Sequence, residues 1–299
     1  MKTAPIALFT YNRLNHTTQT VEALKKNVLA DKSNLIVYSD AAKNDQIENR
    51  VLEVRNYLKT ITGFKSVKIV ERSVNFGLAE SIISGVTEIV NQYGTIIVLE
   101  DDLVTSPYFL QYMNEALELY ENEEKVISIH GYIYPVKEKM PETFFIRGAD
   151  CWGWATWKRG WEIFEKDGSK LLAELKGRNL EHEFDFRGTY PYSKMLSDQV
   201  KGKNSSWAVR WYASAFLAGK LTLYPGKSLV QNIGTDGTGF HFREIEDSFF
   251  VDISGLPVKT EKLETIEDKH NYNIFADYFR NLKLGIYSRI RQQFQNLLK

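Results

Sequence analysis

Apolar positions in the first hundred residues alternate between two patterns. Four short runs, Ile6–Thr10, Leu35–Tyr38, Val67–Val70 and Ile96–Leu99, are dominated by apolar and β-branched residues. They are too short for helices and predict strands, the fourth buried on both faces. Between them, residues 14–29, 47–61 and 78–93 carry apolar side chains three and four residues apart: Val21, Leu24 and Val28; Val51, Val54 and Leu58; Ile82, Val86, Ile89 and Val90. That spacing predicts amphipathic helices. Strand and helix alternating up to a fourth strand imply a parallel sheet with right-handed crossovers.

The fourth strand ends in three acids, Glu100, Asp101 and Asp102, and Ser106-Pro107 then opens a helix with Phe109, Leu110, Met113, Ala116, Leu117 and Tyr120 on one face. Three carboxylates at the end of a buried strand repel one another, and they lie where open α/β sheets bind ligands. A hard divalent cation carrying a diphosphate would neutralise them; the competing reading is a solvated acidic loop. The other strands end in Thr10-Tyr11-Asn12-Arg13, in Ser39-Asp40, and in residues 71–77 with Asn75 and Gly77. In a parallel sheet these ends share one edge and converge on one crevice. Arg13 there can neutralise phosphate, Asp40 can accept from a base N–H, and Asp102 can bind a metal that bridges phosphates. No G-x-G-x-x-G follows the first strand and no P-loop pattern occurs, so neither dinucleotide nor P-loop chemistry has support.

The second half differs. All six tryptophans fall between Trp152 and Trp211, and Gly148–Trp157 is dense in small and aromatic residues. Aromatic faces suit the apolar faces of sugars, which makes Trp152, Gly153 and Trp154 candidates for binding an acceptor; packing between sheet and helices is the alternative. Cys151 reads as a packing residue. Tyr192–Val200 and Trp207–Leu217 read as helices and Leu221–Tyr224 as a strand. The stretch Ser228–His241 holds glycines 234, 237 and 239 beside Asn232, Asp236 and His241, a loop able to close over a ligand.

Charge narrows the classes. Lysine plus arginine equals aspartate plus glutamate, 38 each in 299 residues, so no basic field favours nucleic acid. The single cysteine excludes an internal disulfide and suits a reducing compartment. The first residues carry too short an apolar run for a signal peptide, and no 18-residue apolar run exists, so the expectation is a cytoplasmic protein. Near the end, Phe275, Phe279, Leu282, Ile286, Ile290, Phe294 and Leu297 recur at three or four residues, and Arg280–Lys299 contains five basic residues and no acid. A basic amphipathic helix of this kind lies on an anionic inner leaflet, docks on its own domain, or joins two copies as a homodimer.

The stretches PIALFTYNR, SVNFGLAESI and VLEDDLVTSPYFL resemble the nucleotide-sugar-binding half of a glycosyltransferase with the GT-A fold. The Glu-Asp-Asp motif is similar to that of bacterial sugar transferases related to the N-acetylglucosaminyltransferase I family. The resemblance implies an α/β, GT-A-like, mostly parallel sheet flanked by helices, with a C-terminal amphipathic helix. Its divisions would be a nucleotide-sugar-binding half at 1–125, an acceptor-binding half of the same domain at 126–250, and an extension at 251–299. It also implies Mn2+ or Mg2+ on Asp102 with His241 approaching the metal or diphosphate. Asp101 would meet the ribose or a metal-bound water, and Asp40 and Asn75 the nucleobase and sugar side. Thr10, Asn12, Arg13, Gly77 and Glu100 would complete the site for a UDP-sugar.

Related inverting enzymes place an aspartate near a tryptophan of the second half, but Asn204–Trp211 holds no acid. Asp198, on the helix before, and Asp236, in the glycine loop, are the nearest substitutes. A helix holds a carboxylate more rigidly, so Asp198 is the expected base and Asp236 a donor-side residue of loop closure, with Asp150 next in line. Arg210 would pair with a phosphate or an acceptor carboxylate. The expected activity is metal-dependent transfer of a sugar to a hydroxyl of a glycan or lipid-linked acceptor in surface polysaccharide assembly. The alternatives are a non-catalytic carbohydrate- or nucleotide-binding protein, and a sugar nucleotidyltransferase. The latter needs a Gly-rich basic loop after the first strand, which TYNRLNH lacks.

Overall fold

The computed structural model describes residues 3–234 and 246–282. The first half runs β1 (Ile6–Thr10), α1 (Leu14–Lys25), β2 (Asn34–Ser39), α2 (Glu48–Leu58), β3 (Ser66–Glu71), α3 (Gly77–Tyr93), β4 (Thr95–Glu100), β5 (Leu103–Thr105) and α4 (Phe109–Leu119). The second half continues with β6 (Val126–His130), β7 (Thr143–Ile146), β8 (Trp154–Trp157), α5 (Lys158–Trp161), α6 (Gly168–Gly177), α7 (Glu181–Phe184), α8 (Tyr192–Val200), α9 (Trp207–Leu217), β9 (Leu221–Pro225) and β10 (Val230–Asn232). A last helix, α10, occupies 269–282.

One eight-stranded sheet, in the order β3-β2-β1-β4-β8-β6-β9-β7, joins both halves. Strands β1–β4 run parallel, with Ile6 opposite Leu35 on one side and Ile97 on the other. β8 is antiparallel to both β4 and β6, β9 is parallel to β6, and β7 is antiparallel to β9. The carboxyl ends of β1, β2, β3, β4, β6 and β9 therefore share an edge with the amino ends of β7 and β8. β1 and β4 are central and almost wholly buried, whereas edge strand β3 is half-exposed, which accounts for its lysine and glutamate. Gly85 of α3 stands where a Cβ would come within 2.8 Å of the Phe9 ring, so the helix packs close on β1.

The predicted helix over 14–29 stops at Lys25. Leu29 takes a left-handed φ of 77° into a short 3-10 turn, and Val28 is left exposed. The helix expected from Pro107 begins at Phe109, because Ser106-Pro107-Tyr108 forms a turn in which the Phe109 N–H bonds the Ser106 carbonyl. Trp154 lies in the core with Trp161, Trp207 and Trp211, ring centroids 5.6–5.9 Å away. α10 docks on the domain through the buried rings of Phe275 and Phe279. Most of the basic run, residues 283–299, lies outside the described residues, and no described helix is long and apolar enough to cross a membrane.

Candidate functional site

The acid triplet and Arg13 meet at the end of β4. Arg13 Nη2 donates to Asp101 Oδ1 and, at 2.7 Å, to Asp102 Oδ2. α1 fixes the triplet from below: Thr20 Oγ1 donates to the Asp101 carbonyl at 2.9 Å, and Thr17 Oγ1 to the Arg13 carbonyl at 2.9 Å. Burial pushes the Asp101 carboxyl up to about 6 against the pull of Arg13. Burial, with Asp102 and Asp101 beside it, pushes Glu100 up to about 8. Burial disfavours the charge of Arg13, but Asp101 and Asp102 more than offset it and the guanidinium is held more firmly protonated.

β5 leaves the triplet and pairs with β10, Thr105 opposite Val230, which returns the chain to the site. The Ile233 N–H bonds the Asp102 carbonyl at 2.8 Å. A Cβ on Gly234 would lie 2.2 Å from Asp102 Oδ2 and 3.0 Å from Arg13 Nη1, so a side chain there would push the pair out of its present arrangement. Asp236 and His241 lie outside the described residues. Among the described residues no three His, Cys, Asp or Glu side chains gather into a metal cluster. Asp101 and Asp102 nonetheless converge on one guanidinium nitrogen, so both carboxylates reach a single point of positive charge. Hard oxygen donors so arranged fit Mg2+ or Mn2+.

Thr10, buried, and Asn12, half-buried, end β1 on the same edge. Asp40 is placed there too, but it is corrected as a base-reading residue. Its oxygens accept from the N–H groups of Ala41, Phe76 and Gly77 at 2.8–2.9 Å and from Asn75 Nδ2 at 3.1 Å. Four donors fill a carboxylate, so Asp40 holds the loop that starts α3. Asn75 and Gly77 belong to that same network, with the Asn75 amide also on the Ala41 carbonyl at 2.7 Å.

In the second half Trp152 is half-buried and meets the Tyr132 ring edge-on at 4.8 Å. Gly153, at φ +66°, accepts the Gly131 N–H through its carbonyl. Trp154 is fully buried and is corrected to a packing residue, because no acceptor can touch it. Arg210 turns back to the Ser206 carbonyl at 3.2 Å and the Lys166 carbonyl at 3.0 Å, which ties the start of α9 to the chain before α6 rather than leaving a cation for a ligand. Asp198 pairs with Lys194 and lies 3.8 Å from Lys203; hydrogen bonding by Lys194 lowers its pKa, a poor setting for a base. Cys151 is a packing thiol that burial pushes well up, with Glu100, Asp150 and Asp102 adding to the effect.

The model of the family described as Glycosyl transferase family 2 matches residues 6–173, more than half of the chain and the whole of this edge from β1 through β8. The chain belongs to glycosyl transferase family 2. It is therefore a glycosyltransferase, and its mostly parallel sheet flanked by helices is the GT-A-like fold expected. The narrower likeness to the N-acetylglucosaminyltransferase I family is not shown by this match. No curated protein sequence matches. Among solved structures, the mannosyltransferase PcManGT from Pyrobaculum calidifontis, in complex with GDP-Man and Mn2+, is 11% identical over 73% of this chain and 70% of that one, with a TM-score of 0.43. TarS of S. aureus is 13% identical over 76% of this chain and 36% of that one, TM-score 0.41. A UDP-glucose pyrophosphorylase complexed with UDP-glucose is 12% identical over 74% and 90%, TM-score 0.38. Likenesses this shallow carry nothing about donor or acceptor.

The spacing of residues along the chain does not reveal Thr20, whereas Gly234 stands out as a loop glycine and Asp150 as the next candidate base. Thr20 and Gly234 support the acid pair from opposite sides, and Asp150 is bound by Tyr134 and Tyr224 from two other segments. The run of glycines 234, 237 and 239 is the signal for Gly234; nothing local links Thr20 to the triplet.

Proposed function

We propose that this family 2 glycosyltransferase moves a sugar from a nucleotide-sugar donor, a UDP-sugar, to a hydroxyl of a glycan or lipid-linked acceptor in surface polysaccharide assembly, with inversion. The observation that carries the reading is the pair Asp101 and Asp102 sharing Arg13 on the ligand-binding edge of the sheet. Asp102 and Asp101 would hold Mn2+ or Mg2+, with His241 as a further ligand from the glycine loop. When bound, the cation neutralises the departing diphosphate. Arg13, released from the carboxylates, supplies a second positive charge to the phosphates. The Gly234 backbone passes close to Asp102 and Arg13. Trp152, half-buried, offers the acceptor an aromatic edge, whereas Gly153 beside it is buried and serves to place that ring. The acid-free basic run after Arg280 supports a lipid-linked acceptor met at an anionic membrane surface.

A thermal-shift screen of nucleotide sugars with and without Mn2+ tests this, since a ligand that binds only the native state raises apparent stability. The expected result is a rise with a UDP-sugar that requires the metal, followed by release of free nucleoside diphosphate once an acceptor is added. Binding without release under every acceptor would favour the non-catalytic alternative. No response to any nucleotide sugar would overturn the reading.

A further inference from the structure

A second carboxylate stands on the same edge of the sheet. Asp150 lies between β7 and β8, just before the half-buried Trp152. The Cys151 thiol next to it feels Glu100 and Asp102 as well as Asp150, so the 150–152 segment lies within electrostatic reach of the acid triplet. Tyr134 Oη and Tyr224 Oη both donate to Asp150 Oδ2, at 2.9 and 2.7 Å. Gly148 makes room for this clamp, because a Cβ there would sit 2.3 Å from Tyr224 Oη. Among the described residues no hydrogen bond reaches Oδ1. Six tyrosines face the group, Tyr132, Tyr134, Tyr190, Tyr192, Tyr212 and Tyr224, all held neutral by burial, with the neutral Cys151 thiol beside it and the neutral His130 ring behind Tyr224. Among the described residues no cation pairs with Asp150, in contrast to Asp198 between its lysines, and burial raises the Asp150 carboxyl.

We propose that Asp150 is the general base of the transfer: Tyr134 and Tyr224 hold Oδ2 still, and Oδ1 takes the proton of the acceptor hydroxyl. This rests on the glycosyltransferase reading above. The acceptor oxygen forms its bond to the anomeric carbon while the bond from that carbon to the diphosphate oxygen breaks, its electron pair leaving with the nucleoside diphosphate. The acceptor proton ends on Asp150, which returns it to solvent. A carboxylate raised by burial and free of salt bridges suits this work, and two hydroxyl donors on one oxygen keep it from titrating out of reach. The C-terminal extension joins the same device: Phe275 of α10 packs on Tyr134 at 4.9 Å and on Tyr224 at 5.8 Å, so both positioning tyrosines lean on one ring.

The test compares full-length variants once the wild-type protein transfers sugar. Asp150→Asn should lower kcat roughly a hundredfold or more while donor affinity and the donor-induced thermal shift stay at wild-type values. Asp198→Asn should leave kcat unchanged. Tyr224→Phe and Tyr134→Phe each remove one donor to the carboxylate, so the acid limb of the kcat–pH profile should move to higher pH with a several-fold lower plateau. Undiminished kcat in Asp150→Asn would overturn the proposal alone. If Asp150→Asn does not fold, tyrosine variants whose acid limb stays at the wild-type position overturn it instead. A wild-type protein that binds no nucleotide sugar would overturn the function itself, and the base with it.

Discussion

Arg13 is the residue on which the proposed donor side turns. It bonds Asp101 and Asp102 together, so any cation that enters must displace a guanidinium already in place. Hydrogen bonds to charged groups contribute about 1.5–3 kcal/mol net, so removing this competitor should tighten Mn2+ binding about tenfold or more. Arg13→Gln is therefore expected to bind Mn2+ alone more tightly, by calorimetry or by the loss of its free-ion spin-resonance signal, yet to bind the donor more weakly. Equal metal affinity in both proteins would mean that Arg13 does not compete. Asp102→Ala is expected to abolish transfer and erase the metal dependence of donor binding, with the melting temperature little changed because Asp102 sits at the rim of the core. Full activity in that variant would remove Asp102 from the metal site.

At the scale of elements, β6 contains the least comfortable residue of the core. His130 is fully buried opposite Trp154, and neither ring nitrogen finds a hydrogen-bond partner among the described residues. The Tyr132 backbone nearby favours the charged ring slightly, but burial dominates and brings the pKa down to about 3. The unfolded chain takes up this proton below pH 6.5 and the native protein does not. Stability is then lost as pH falls from about 6.5 towards about 3, by up to ~1.4 kcal/mol per pH unit. His130→Phe should flatten that limb and cost little at pH 7, since it removes two unsatisfied nitrogens; melting curves at pH 7 and pH 4.5 decide it, and an unchanged difference between them rules the idea out.

The same scale shows what was legible. β1, α8 and α9 have the limits that the sequence indicates: β1 and α9 are buried nearly throughout, and α8 anchors through Leu196. The donor edge was legible for a related reason: in a parallel sheet every strand end falls on one side. β6, β7 and β8 were not, since four- and five-residue strands paired with distant segments leave no local period. Trp152 and Trp154 illustrate the limit. They differ by two residues around a glycine, and only the return of β8 into the sheet sends one to the rim and the other to the core. Asp40 was found by position but not by role, because the donors that fill it come from a loop thirty-odd residues on.

For the whole molecule, the question is where the catalytic domain ends. By its basic stripe the last segment reads as a membrane attachment, yet its first turns belong to the core: Phe275 and Phe279 are buried against Tyr134, and Tyr272 stacks on Phe186 at 4.9 Å. Losing a buried phenylalanine side chain costs about 3–5 kcal/mol, against roughly 5–15 kcal/mol for a whole domain. Truncation after Asp268 removes both rings and the support of the Asp150 clamp, and should unfold the protein or leave it without transfer activity. Truncation after Leu282 keeps the rings and removes four of the five basic residues counted from Arg280. That shorter cut should keep the melting temperature and the glycosylation of a soluble acceptor, but reduce sedimentation with vesicles containing anionic lipid, about 1 kcal/mol being lost for each basic residue at the surface. Undiminished sedimentation after the cut at Leu282 would take the membrane role away from the basic run, and a stable, active protein after the cut at Asp268 would detach α10 from the catalytic domain.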